Sequence, residues 1–93
     1  MDFDWDDAKS DRFFRERGFD FAAVIPAFAD PERIVEDDLR YEYGEPRFRL
    51  YGQVEGRLFV VAFTLRDGVH RIISARKANR REVRRYGKGK TET

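Results

Sequence analysis

The residues best equipped for chemistry are arginines with a few carboxylates and hydroxyls nearby in the chain. Arg47 opens one apolar run and Arg76 closes another. A guanidinium forks onto two phosphate oxygens and stays charged at any relevant pH, so the pair is expected to clamp a phosphodiester. Metal-free RNA cleavage needs a base for the ribose 2′-hydroxyl, positive charge for the phosphorane, and a proton for the leaving 5′-oxygen. Glu45 is the candidate base. Nearby arginines lower a carboxyl pKa, so its other reading is to orient Arg47. Lys77 and Tyr86 are candidate proton donors. His70 is the one side chain that titrates unperturbed near neutrality. Strand alternation with Ile72, Ser74 and Arg76 places it beside the clamp, the alternative being a sheet-surface residue. Lys9, Arg17, Arg49, Tyr51, Arg80 and Arg81 are the candidate RNA contacts, Tyr51 by stacking a base.

Each of these has a plainer reading. Arg76 can be held by Glu82 as a structural ion pair. Arg80, Arg81, Arg84 and Arg85 can form a solvated helix face or a protein contact. Lys9 and Trp5 can lock the first helix to the sheet, and Phe59 and Phe63 are core by default.

Composition limits what such residues can serve. A chain of 93 residues supports one domain with one core. Nine Phe, four Tyr and one Trp supply apolar area enough to offset a charged fraction of 40%. Without cysteine there is no disulfide or thiolate metal site, and a single histidine does not build a zinc centre, so no metal or cofactor is expected. The N-terminal stretch MDFDWDDAKS is acidic and carries no apolar export signal, which predicts a cytoplasmic protein with no membrane association. Net charge is only +1, but carboxylates dominate residues 1 to 45 and arginines residues 46 to 90. That asymmetry points to a polyanionic partner.

The positioning elements follow from pattern. Leu58 to Leu65 is an apolar run too short for a bilayer and rich in Val and Phe, hence a strand buried on both faces. Asp67-Gly68 supplies the positive φ angles of a tight hairpin, so Val69 to Ala75 returns antiparallel. Phe3-Asp4-Trp5 alternates as a short strand. Asp6 or Asp7 caps a helix through Arg17, closed by Gly18. Asp20 caps a second helix whose Phe21, Val24, Ile25 and Phe28 form a buried stripe; Pro26 predicts a kink or an early end, and Asp30-Pro31 ends the hairpin. Ile34-Val35 with Glu36, Asp37 and Asp38 reads as a short acidic edge strand. A turn at Tyr43-Gly44-Glu45-Pro46 leads into Arg47 to Tyr51, with Phe48 and Leu50 inward and Arg47, Arg49 and Tyr51 on the other face. Val54-Glu55-Gly56-Arg57 turns into the central strand. A basic helix then runs to Tyr86, and 87–93 has the composition of a flexible tail, leaving residues 1–86 as the domain. The expected class is α+β: an N-terminal helical hairpin on an antiparallel sheet, followed by a C-terminal helix.

At this point the chain resembles the BrnT toxins of bacterial type II toxin-antitoxin systems. The matching residues are Phe3-Asp4-Trp5-Asp6 with Lys9, Gly18 before Phe21, Phe28-Ala29-Asp30-Pro31, Glu45 with Arg47, Gly52, and Arg71 through Ala78 with Glu82 and Tyr86. The resemblance implies a RelE/ParE-like fold, ribonuclease activity that arrests translation, and neutralisation by a DNA-binding antitoxin, BrnA, in a hetero-oligomer. Phe13 and Glu16-Arg17-Gly18 stand where the family usually has Asn and Lys-His-Gly.

Two functions follow as expectations. One is a metal-independent endoribonuclease acting on free or ribosome-associated RNA; the other is a catalytically inactive module that binds RNA or a partner protein. An acidic or amphipathic antitoxin segment is expected over Arg47, Arg76 and the last helix, in a complex that weakens with salt.

Overall fold

The apolar run of the second half becomes the spine of the sheet. In the computed structural model, β4 (Arg57–Arg66) is joined to β5 (Val69–Lys77) by the Asp67-Gly68 turn, and to β3 (Phe48–Val54) by Glu55-Gly56. Both turns take positive φ at both central residues, 52° and 80° in the first and 49° and 80° in the second. That twist matches the strands they connect. The structure describes residues 1–40, 42 and 44–91, the last four of these by backbone alone. Tyr43 of the expected turn and the final two residues of the expected tail lie outside the described residues.

The sheet has five strands in the order β1-β5-β4-β3-β2, with β1 (Asp2–Asp4) and β2 (Ile34–Asp37) at the edges. It is mixed rather than wholly antiparallel, because β1 pairs parallel with β5. Helix α1 (Asp7–Arg17) begins where the Asp6 side chain accepts the Lys9 N–H at 3.1 Å and stops at Gly18, φ 81°. The second helical element, Ala22–Ala29, is a 3₁₀ helix. The Asp20 carboxylate accepts the Ala23 N–H at its start, and Pro26 sits inside it. Pro26 lacks an N–H and its ring crowds the preceding turn, which disfavours a continuous α-helix here, and the segment buries Val24, Ala27 and Phe28.

One core lies between these helices and one face of the sheet. Phe13, Phe21, Phe28, Leu50, Phe59, Val61, Phe63 and Ile72 pack together there, with edge-to-face rings at Phe13–Phe21 (4.8 Å) and Phe28–Phe63 (5.1 Å). The 3₁₀ helix approaches β3 so closely that a Cβ on Gly52 would lie 2.4 Å from the Ala27 carbonyl oxygen. Only glycine fits that contact.

The opposite face is covered at both ends, by a helix at one and at the other by the loop at Pro46, whose carbonyl accepts the hydroxyl of the buried Thr64. Helix α2 (Arg80–Thr91) brings Tyr86 onto Tyr51, Leu58 and Val60. Its start is a reciprocal cap: Asn79 Oδ1 accepts the Glu82 N–H and a Glu82 oxygen accepts the Asn79 N–H, both at 2.9 Å. The α2 backbone continues past Tyr86, where the tail was expected to begin.

A candidate nucleic-acid interface on the open sheet face

Strand register decides which side chains share the sheet face opposite the core, open at its middle row and covered at both ends. Across the sheet the rows read Ile34–Tyr51–Val60–Arg76, then Glu36–Arg49–Ala62–Ser74, then Thr64–Arg71–Asp4. The middle row has a floor of two small side chains, Ala62 and Ser74. Arginines stand around it: Arg49 beside it, Arg76 on one flank and Arg71 on the other.

Each arginine is held by a carboxylate from a different element. Arg76 makes a two-pronged contact with Glu82 of α2, at 2.7 and 2.8 Å. Arg49 contacts Glu36 of β2 at 3.1 Å, Arg71 contacts Asp4 of β1 at 2.7 Å, and Arg85 of α2 also reaches Glu36. Burial alone would raise the Glu36 pKa, but hydrogen bonds from Arg85 and Tyr51 and the Arg49 charge more than offset it, leaving the carboxyl below its usual range. The hydrogen bond from Arg76 likewise holds Glu82 low. Both stay ionised at neutral pH. Among the described residues Arg49 Nε is buried on this face with no hydrogen-bond partner, a cost that an acceptor could remove only after the side chain shifts toward solvent.

The expected clamp is not formed. Arg76 lies level with Tyr51, and Arg47 is four residues earlier along the same strand direction, roughly 13 Å away at strand spacing. Arg47 instead approaches Glu45 at 3.5 Å, and Glu45 is also gripped by Arg66 through two contacts of 3.2 Å. Those hydrogen bonds, Arg66 first, hold the Glu45 carboxyl below its usual range and favour orienting arginines over accepting a proton. Arg47 also acts on Lys9. Burial, then repulsion from Arg12 and Arg47, pushes the Lys9 ammonium pKa down.

Several other candidates lie elsewhere. The register between β4 and β5 shifts at Ala62/Phe63, where Ser74 and Ile72 face successive residues and Ile73 is the extra one. This bulge inverts the alternation, so His70 sits on the helix side among Phe3, Phe28 and Phe63, at 5.5 to 5.7 Å between ring centres. It is not beside Arg76. Lys77 also faces the helix side, level with Phe59. Tyr51 is buried beneath the Arg85 guanidinium, 4.9 Å from its ring, and donates its hydroxyl to Glu36 at 3.0 Å. The ring is therefore covered where base stacking was expected. Tyr86 is buried too, donating to Asp30 at 2.6 Å, and burial with this bond raises its pKa. Arg17 donates to the Ala75 carbonyl at 3.0 Å and lies 4.3 Å over the Phe13 ring. Arg80 and Arg81 are exposed on α2.

A family model described as the ribonuclease toxin BrnT of type II toxin-antitoxin systems matches residues 5–82. The chain belongs to the BrnT family. The BrnT match runs from Trp5, through all the strands after β1, to the Glu82 that holds Arg76. Comparison with curated proteins finds no match. Membership makes the molecule a ribonuclease toxin by family, with RNA as substrate and an antitoxin as partner. Among the described residues no helix is long and apolar enough to cross a membrane, and no group of three or more His, Cys, Asp or Glu side chains could hold a metal ion.

Sequence reasoning named Arg49 and Arg76 but missed Glu36, Arg71 and Ser74. The plainer reading of Arg76, an ion pair with Glu82, is the one observed, and the Asn79-x-x-Glu82 cap fixes where Glu82 sits. Glu36 had no such signal, because its place opposite Arg49 depends on register alone.

Proposed function

We propose that this chain is a metal-independent endoribonuclease with a RelE/ParE-like fold that arrests translation, cutting RNA on the open sheet face under the control of a BrnA-like antitoxin. The observation that supports this reading is the rim of arginines, Arg49, Arg71 and Arg76, around the small side chains Ala62 and Ser74. A phosphate entering there takes the Arg76 fork in place of Glu82 and meets Arg49 from the side. The 2′-oxygen attacks phosphorus, the bond to the 5′-oxygen breaks, and a cyclic phosphate and a 5′-hydroxyl result. Arginine charge stabilises the phosphorane, a contribution worth about 10²–10³ in rate per donor. In this step the 2′-hydroxyl gives up its proton and the departing 5′-oxygen takes one up. Glu45 orients Arg47, and Glu36 orients Arg49. Cytoplasmic action fits this substrate.

A second reading, an RNA-binding module without catalysis, is favoured by one feature: Arg47, Arg49, Arg71 and Arg76 all have carboxylate partners. End-labelled RNA incubated with the purified protein in chelator, with and without ribosomes, separates the two. Cleavage leaving cyclic phosphate ends, lost about 100-fold or more in Arg76→Ala with the fold intact, supports the enzyme. Binding without cleavage under every condition supports the module.

A further inference from the structure

Adjacent residues Arg76 and Lys77 project to opposite faces of β5, and the second face has a cleft of its own. A groove of about 710 Å³ lies between the 3₁₀ helix and the β3–β4 hairpin, remote from the arginine rim. That volume falls within the range of roughly 300–1,000 Å³ typical of ligand pockets. Its walls are Phe19, Ala22, Ala23, Pro26, Val54 and Phe59. Ala22, Ala23 and Pro26 are exposed, whereas Val24, Ala27 and Phe28 of the same helix are buried. Arg57 and Lys77 flank the groove against a single carboxylate, Glu55. An apolar trough with cationic flanks suits an amphipathic segment whose apolar side chains enter the groove and whose carboxylates meet Arg57 and Lys77.

We infer that this groove is where the antitoxin docks, through an acidic amphipathic helix, on the face opposite the one that handles RNA. The proposal goes beyond the ribonuclease reading and moves the partner away from the arginines. The open face argues against itself as the principal docking site. Its cations are already matched by Glu82, Glu36 and Asp4, so a protein carboxylate arriving there replaces like with like. Among the described residues Arg57 and Lys77 form no ion pair, and the groove between them is walled by Phe19, Pro26, Val54 and Phe59.

The test uses the full chain and its cognate BrnA-like antitoxin, titrated by calorimetry at two salt concentrations. Ala23→Arg plugs the groove from an exposed wall position, and Arg57→Glu reverses one flank; neither touches the buried core. Each is expected to weaken antitoxin binding by at least tenfold, with unchanged circular dichroism and RNA cleavage within twofold of the unmutated protein. Binding should also fall as salt rises. Unchanged affinity in both variants overturns the proposal. So does joint loss of affinity and cleavage, which would place partner and RNA on one surface. A change confined to self-association, with antitoxin affinity intact, would assign the groove to a second copy and equally overturn it. If no cleavage is seen even in the unmutated protein, the ribonuclease reading fails while the binding arm still decides this one.

Discussion

The Arg76–Glu82 pair offers the most direct handle on the proposed RNA site. Glu82→Gln keeps the side chain's shape and an oxygen for the Asn79 N–H, but removes the charge that holds the Arg76 fork. The pair is two-pronged at 2.7 and 2.8 Å, with Arg76 46% exposed at its side chain and Glu82 13%. Exposed pairs contribute about 0.2–1 kcal/mol, and this geometry belongs near the upper end. A phosphate that must displace Glu82 forgoes that amount. Its removal should therefore tighten binding of a non-cleavable oligoribonucleotide about fivefold, since ~1.4 kcal/mol corresponds to a factor of ten. Arg76→Ala should weaken the same binding and flatten its salt dependence. Fluorescence anisotropy at several salt concentrations reads both. Weaker binding by Glu82→Gln, or none of the expected change in either variant, would refute exchange of carboxylate for phosphate at Arg76. The same carboxyl has a pH signature. Its folded pKa is lowered from 4.5, so its stabilisation is present above about pH 4.5 and disappears as the pH falls through the folded value.

Three further outcomes can be measured. Gly52→Ala places a methyl 2.4 Å from the Ala27 carbonyl oxygen and should destabilise by about 1–3 kcal/mol in urea unfolding; a change below about 0.5 kcal/mol would show that the 3₁₀ helix yields freely. His70→Phe removes a buried Nδ1 that has no hydrogen-bond partner among the described residues from a group of three phenylalanines, so stability should hold or rise and RNA cleavage should persist, whereas lost cleavage in a folded variant would give His70 a chemical role. The Arg40 hydrogen bonds hold the Asp38 carboxyl at about 2 against 3.8 unfolded, so stability should fall as pH drops from about 4 toward 2, and Asp38→Asn should flatten that slope; an unaltered slope would deny the pair its role.

Local chemistry made much of the fold legible. Asp67-Gly68 announced the central hairpin, Asp6 and Gly18 bounded α1, and Phe48 and Leu50 alternated inward as their spacing required. The 3₁₀ winding of Ala22–Ala29 was visible only as a conflict between the helical spacing of Phe21, Val24, Ile25 and Phe28 and the proline among them. Parallel pairing of β1 with β5 is a long-range contact between residues far apart in sequence, and nothing in Phe3-Asp4-Trp5 specifies its partner. The site shows the same division. Arg49 and Arg76 could be named from residue type, but whether their heads meet a phosphate or a carboxylate depends on Glu36 and Glu82, which arrive from β2 and α2.

The bulge at Ile73 is where local pattern and long-range structure meet. Reading Arg71-Ile72-Ile73-Ser74-Ala75-Arg76, two apolar residues stand side by side, and strict alternation cannot place both Arg71 and Arg76 on the polar face. Without the extra residue, Arg76 on the open face would put Arg71 among Phe28 and Phe63 and send His70 out. Burying an unpaired guanidinium there would cost several kcal/mol, far more than one irregular residue in a strand. The bulge instead lets Ile72 and Ala75 enter the core while Arg71, Ser74 and Arg76 remain on the open face. It also fixes which residues each face receives. Arg76 joins the arginine rim, Lys77 joins the groove, and His70 is enclosed by aromatic rings. A one-residue deletion at Ile73 would exchange these assignments from that point along the strand, so the spacing between Ile72 and Ser74 matters to the RNA face as much as the arginines themselves.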